Sequence, residues 1–422
     1  MHRSTRTTLA AALVAATAAL TLPAAAQAAP AAPRPDRVDT APDGKEGNAS
    51  AGGGGLSRDG RYVVFDSDAS NLVAGDTNGT GDVFVRDLAN GSTRRVSTGS
   101  AGAQANAAVE GGTLSANGRV VAFTSAATNL VPGGGDGRKH VYVKDLTTGK
   151  VQRINDKVAP GYDESYDIRL SADGRYAAFT ATRSEASSEQ DQWTRVYRHD
   201  RVTGKSVRVS EPSTQERTRT AGKPSISDDG SRVGYQFWVP FRSSGDWSDI
   251  HVKDVTTGKL FLADRSLPTT GPWIQSEYPE IAADGKKVVF RSLDGGLTPG
   301  DTNDTHNVFV RELATGALQR IDSADPTGYT SGGILSADNK FLLYEAADKN
   351  DPSGQSKLLL RDLGTGATRQ VAVNTAGTTP DQPVGGVALD AHGGKAVFTS
   401  SAADLLPGDT YDAQHVYVTG TR

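Results

Sequence analysis

The sequence predicts an all-β chain: a seven-bladed β-propeller of four-stranded antiparallel blades, with the ring closed by the N-terminal strand pairing with blade seven. Three observations predict it. A ten-residue motif, Leu56-Ser-Arg-Asp-Gly-Arg-Tyr-Val-Val-Phe65 in its first form, returns at Leu114, Leu170, Ile226, Ile281, Leu335 and Leu389, with starts 54 to 58 residues apart. A fixed period of that size marks an array of one supersecondary unit. Each copy is followed by the same order of strands and turn residues, and no segment carries sustained helical periodicity.

Within one unit, strand a runs into the Leu-Ser pair. Asp-Gly or Asn-Gly then makes a tight hairpin turn. Strand b follows as Tyr62-Val-Val-Phe65 and its equivalents. A variable loop leads to strand c, read as Val83-Phe-Val-Arg86, Val141-Tyr-Val-Lys144, Val196-Tyr-Arg198, Ile250-His-Val-Lys253, Val308-Phe-Val-Arg311, Leu358-Leu-Leu-Arg361 and Val416-Tyr-Val418. Asp-Leu-x-x-Gly, as in Asp87 to Gly91, then turns the chain into strand d, with the glycine at a left-handed position. Blade seven ends at strand c. Arg37-Val-Asp39, followed by Asn48, matches Arg95-Val-Ser97 followed by Asn106, so the N-terminal segment supplies the missing strand. Closing the ring protects edges that an open array would expose.

The first residues read as export signal. Arg3 and Arg6 form a positive start, Leu9 to Leu22 a short apolar stretch, and Ala26-Gln27-Ala28 a small-x-small cleavage site. The expected organisation is a signal peptide over 1–28, cleaved near Ala28, a flexible stub over 29–36, and the propeller over 37–422. The protein is expected to be secreted, outside the cell or at the envelope, with no membrane span. The chain has no cysteine. It therefore holds together without disulfides, and no lipid attaches through cysteine after the signal. A net charge of −4 and a pI near 6.0 give no basic footprint for nucleic acid.

The Leu-Ser-x-Asp-Gly-Arg-Tyr-Val-x-Phe unit with its following Val-Phe-Val-Arg-Asp-Leu resembles the TolB-type, WD40-like propeller repeat. The resemblance covers 37–422 and implies the fold. TolB proteins carry an extra N-terminal α/β domain that binds partners, for which this chain is read as having no room, so their transport role is not carried over. Propellers of this kind also cap prolyl-oligopeptidase-like hydrolases, and no hydrolase domain is read here.

The recurring Asp59, Gly60, Asp87 and Gly91 serve turns, and the strand b and c aromatics serve packing between blades. Function is expected where the repeats differ. The b–c and d–a connections are long and share one face, the usual place for binding residues on a rigid scaffold. Blades one, two, five and seven keep an Asn/Gly/Asp-Leu-x-x-Gly pattern in the b–c loop, as in Asn71 to Asp76 and Gly296 to Asp301. Blades three, four and six depart from it. All four tryptophans, Trp193, Trp238, Trp247 and Trp273, fall in or beside the loops of blades three to five, joined by Tyr162, Tyr166 and Tyr278. Such aromatics either bind sugar faces, peptides or a protein partner, or pack long loops onto the blades.

Two loops open like calcium sites: Asp76-Thr-Asn78 to Asp82, and Asp301-Thr-Asn303 to Asn307. A true EF-hand is excluded. Its twelfth ligand would be Asp87 or Glu312, on the order of 17 Å away along a strand. A looser Ca²⁺ site from side chains and carbonyls, or plain Asx turns, are the remaining readings. No cofactor is required by the sequence. One further level of the ring precedes strand c: Asp82, His140, Arg195, Asp249, Asn307, Lys357 and His415. A His ring can bind a metal in propeller lyases, but here only two of the seven are histidine. Carboxylates crowd blade three at Asp163, Glu164, Asp167, Glu185, Glu189 and Asp191, and spacing alone does not show whether two flank a bond. No nucleophile elbow, His-Glu-x-x-His pair or phosphate loop is present. The expectation is a monomeric binding module for a glycan, a peptide or a protein partner. The alternative is an extracellular glycan lyase or hydrolase using carboxylates, or His140 and His415, near the central channel.

Overall fold

The computed structural model describes residues 34–421 except 157, 159–163, 184–192, 211–219, 240–246, 265–274, 302–304, 325–326, 349–354 and 410–412. It is a seven-bladed propeller of four-stranded antiparallel sheets, with no helix among the described residues. Blade one takes strands Ala51–Leu56, Tyr62–Ser67, Asp82–Asp87 and Ser92–Arg95, and the other blades repeat that order. Blade seven takes Val384–Leu389, Lys395–Ser400 and His415–Gly420, and its fourth strand is Asp36–Arg37. That strand pairs Asp36 with Val418 and Arg37 with Tyr417, starting one residue before the expected boundary.

The repeated motif earns its residues locally. Ser57 donates to Asp59 at 2.6 Å and accepts from the Tyr62 amide at 2.8 Å. Gly60 holds φ +68°, a conformation that Cβ-bearing residues resist. The same hydroxyl-to-carboxyl or amide bond recurs at Ser115, Ser171, Ser227 and Ser336. Arg61 then bridges to Asp87 with two bonds, at 3.0 and 2.8 Å, and Arg175 does so to Asp200. The arginine after the first turn thus ties it to the aspartate that opens the second.

The core lies between blades. The described residues form seven apolar clusters, one per blade interface. Alternation along strand b causes this: Val64 faces blade two, while Val63 and Phe65 face blade seven. Strand b and c aromatics stack within most blades, as in Phe65 on Phe84 at 5.6 Å and Phe290 on Phe309 at 5.6 Å. In blade four, His251 takes the strand c place and stacks on Phe237 at 4.9 Å.

Candidate functional site

Strand a is the innermost strand of each blade and lines the axis. In all seven blades the a–b pairing slips by a bulge just before the motif leucine. Three residues before that leucine the chain has Gly53, Gly111, Asp167, Lys223, Tyr278, Gly332 and Gly386 in blade order. Glycine suits the place: Gly53, Gly111 and Gly332 have φ between +60° and +70°. Asp167, Lys223 and Tyr278 hold φ +53°, +52° and +53° there with full side chains. Each such residue costs on the order of 1 kcal/mol relative to glycine. Three successive blades therefore bear strained side chains at the channel mouth, where the other four present bare backbone. The pattern is visible in the sequence once the copies are aligned on the motif leucine, and the sequence reading missed it.

These side chains meet. Lys223 Nζ lies 3.6 Å from Asp167. Tyr278 is half exposed, with the Arg291 guanidinium 4.6 Å from its ring centre. Arg291 gives two bonds to Glu277 Oε2, at 3.0 and 2.7 Å, and a third to Ser331 at 3.0 Å. His306 stands 4.0 Å from the same carboxylate, and burial, then Arg291, holds its pKa below the ordinary value. Deeper in the channel Arg169 of blade three faces Glu280 of blade five at 3.8 Å. Glu280 is ringed by protein, and that burial raises its pKa against the pull of Arg169. Its side chain nonetheless stays 42% accessible, so channel water moderates the effect.

Between blades four and five, Lys223, Gln236, Trp238, Ser248, Glu277 and Tyr278 line a cleft of about 290 Å³. Trp238 and Tyr278, both expected site residues, come together here. Trp193 lies outside this cleft: Arg183 is over its ring at 5.7 Å, and its buried indole N–H has no hydrogen-bond partner among the described residues. Tyr166 accepts a 3.0 Å bond from Thr182 in its own blade and is half-buried. Trp247 opens strand c opposite Val239. Trp273, Tyr162, Asn303, Asp163, Glu185, Glu189 and Asp191 lie outside the described residues.

The calcium-like loops are held by arginine. Arg95 of strand d reaches Asp76 at 2.8 Å and Asp82 at 3.2 Å, and Asn78 donates to Asp82 at 2.9 Å. In blade five Arg320 takes Asp301 at 3.1 Å, with the Asn307 amide 3.4 Å from the same carboxylate. In blade seven Arg37 plays the part toward Asp409. In blades one, five and seven the shared b–c pattern is thus a clamp between loop aspartate and strand d arginine, and a cation would have to displace the guanidinium; in blade two Arg153 bonds the Gly134 carbonyl instead. Among the described residues no three His, Cys, Asp or Glu side chains gather to hold a metal.

The level before strand c is also structural. His140 is buried between Asp136 at 2.8 Å and Asn155 at 2.9 Å. His415 is buried against Asp39 at 2.6 Å. Each histidine binds the strand d end of its own blade, away from the axis. The two are not brought together, which removes them as the channel pair the alternative reading invoked. Blade four puts two carboxyls at this level. Asp264 accepts from the Ile250 amide at 3.0 Å, and burial, then Asp249, pushes its pKa up to about 7.

At the opposite end, the a–b turns of neighbouring blades bond to one another, Arg58 N to Ala116 O at 2.8 Å and Ala391 N to Arg58 O at 3.1 Å among them. Two residues after the leucine or isoleucine that opens the motif stands alanine in five blades, but Arg58 in blade one and Asp228 in blade four. These two pair across the axis and bar that end of the channel.

No family model and no curated protein matches the chain. Solved structures do. An oligogalacturonate lyase in complex with manganese matches with TM-score 0.55 at 17% identity, over 86% of this chain and 87% of that one. A prolyl endopeptidase matches with TM-score 0.57 at 13% identity; 92% of this chain is covered, and it spans about half, 51%, of that one. The β-propeller domain of the Trilobed protease from Pyrococcus furiosus matches with TM-score 0.56 at 10% identity, over 89% and 96%. Identities this low speak to fold alone. Taken with the repeat grammar and the seven four-stranded sheets, they make this chain a seven-bladed β-propeller.

Proposed function

We propose that the chain is a secreted, monomeric binding module whose site is the b–c/d–a end of the channel on blades three to five. The single observation that carries this is the run of Asp167, Lys223 and Tyr278 at a left-handed position that three of the other blades fill with left-handed glycine. Backbone strain of this kind persists where the side chain is needed. The aromatic cleft beside it supports a glycan or peptide ligand, or an exposed side chain of a protein partner. Export is supported by the Arg3 to Ala28 segment, which lies outside the described residues.

Thermal unfolding against a panel of neutral and charged oligosaccharides, peptides, Ca²⁺, Mn²⁺ and EDTA tests the proposal. A ligand that binds only the folded state raises the midpoint. The expected result is a shift with an oligosaccharide or peptide that Trp238→Ala abolishes. A shift that survives both Trp238→Ala and Lys223→Gly would place the site elsewhere. The alternative reading, a glycan lyase or hydrolase, has one observation in its favour: Glu280, with its raised pKa, faces channel water as a general acid would. Glycan cleavage that Glu280→Gln abolishes would establish that reading in place of the first.

A further inference from the structure

The cleft between blades four and five is specific enough in its chemistry to name a ligand class. We infer that it is a subsite for a neutral pyranose ring, an assignment that rests on the reading of blades three to five as the binding face.

A pyranose offers a flat C–H face and a rim of hydroxyls that both donate and accept. The cleft offers the complement. Trp238 and Tyr278 supply the flat apolar surfaces. The Trp238 indole can lie close to strand a because Gly222 is there: a Cβ at that position would stand 3.0 Å from its Cη2. Arg291 covers one face of Tyr278, and half of the residue stays exposed.

The rim suits hydroxyls. Gln236 presents a carboxamide, at once acceptor and donor. Glu277 uses Oε2 for both Arg291 bonds, which leaves Oε1 to accept. Lys223 carries three donors, only part of which its 3.6 Å approach to Asp167 engages.

Neutrality follows from pairing. Among the described lining residues the one cation, Lys223, faces Asp167, and the one carboxylate, Glu277, is held by Arg291. An anionic sugar would meet no unmatched cation, and a cationic one no unmatched carboxylate. A volume of about 290 Å³ is at the small end of ligand sites and fits one ring of a chain. A peptide asks for a free sheet edge or apolar side-chain pockets, and polar groups around two aromatic rings provide neither.

The test is a titration of the purified protein, followed by tryptophan fluorescence. The probes are cellohexaose, xylohexaose and N-acetylchitohexaose as neutral chains, chitosan hexamer and hexagalacturonate as charged ones, and an alanine-rich hexapeptide. At least one neutral chain should saturate the signal, with the charged chains weaker by roughly tenfold or more, a difference easily resolved. Gln236→Ala and Tyr278→Gly should each weaken it by a similar factor. Tyr278→Gly removes the left-handed strain, so it should melt no lower than the parent, and its loss of binding is then not unfolding.

No binding of any neutral chain, or tighter binding of a charged one, overturns the pyranose assignment. If a charged sugar or the peptide binds and Tyr278→Gly abolishes that, the assignment falls while blades three to five stand as the binding face. Binding indifferent to Tyr278→Gly, Trp238→Ala and Lys223→Gly removes both.

Discussion

Lys223 holds a backbone conformation against its local preference. Its Nζ makes a single 3.6 Å approach to Asp167 from a half-exposed position, which is worth little, while its φ of +52° is costly. Lys223→Gly is therefore expected to raise stability by about 0.5–1 kcal/mol in urea unfolding, despite the entropy a glycine adds to the unfolded chain. A clear loss of stability would mean that the side chain is there for packing. Asp264 makes the complementary case inside the core. Its pKa is raised to about 7 by burial and by Asp249, so the folded state holds its proton more tightly than the unfolded chain. The stabilisation is complete below the ordinary carboxyl value of about 3.9 and is lost as pH rises through about 7. The parent should thus lose more stability between pH 5 and pH 8 than Asp264→Asn does, and equal losses would contradict a proton on this carboxyl. The two residues differ in legibility. Lys223 is plain once the seven copies are aligned. Asp264 is one more aspartate until the fold buries it beside Asp249.

The strands and turns were legible because period-2 alternation and turn chemistry act locally, within the ten residues that contain them. The b–c loops were only half legible. Their two classes could be read from Asn71 to Asp76 and its counterparts, but the partner of Asp76 is Arg95, on the far side of strand c. A calcium reading arose because an aspartate-rich loop looks the same whether a cation or a guanidinium fills it. Both acids and Arg95 are nearly buried, so removing the arginine strands two carboxylates. Arg95→Ala is expected to cost about 3–5 kcal/mol in chemical denaturation. Millimolar Ca²⁺ should leave the parent melting temperature unchanged, since Arg95 and Arg320 already hold the acids. A Ca²⁺-dependent rise that EDTA reverses would show that an ion displaces them. Trp193 illustrates the same limit, because its place in a long loop could not reveal that Arg183 lies over its ring and that its N–H is buried.

Across the whole molecule, stability is shared among seven blade interfaces and one closure. The closure was legible as a sequence match, Arg37-Val-Asp39 to Arg95-Val-Ser97, and the structure gives it a mechanism. Asp39 accepts from the Val416 amide at 3.0 Å and from His415 at 2.6 Å, as Ser97 accepts from Val83 at 3.0 Å in blade one. Asp39→Ala should cost on the order of 2–3 kcal/mol by leaving buried donors unmatched. A neutral effect would mean that the ring holds without this strand. Beyond closure, the ring has a direction. Arg58 and Asp228 bar one end, while the variable side chains cluster at the other, on blades three to five. The most direct measurement compares the parent with the triple variant Asp167→Gly, Lys223→Gly, Tyr278→Gly in binding whichever oligosaccharide or peptide shifts the parent melting temperature. The expected result is a variant that melts no lower than the parent and binds nothing. A triple variant that is folded and binds with the parent's affinity would contradict the claim that these three residues form the site.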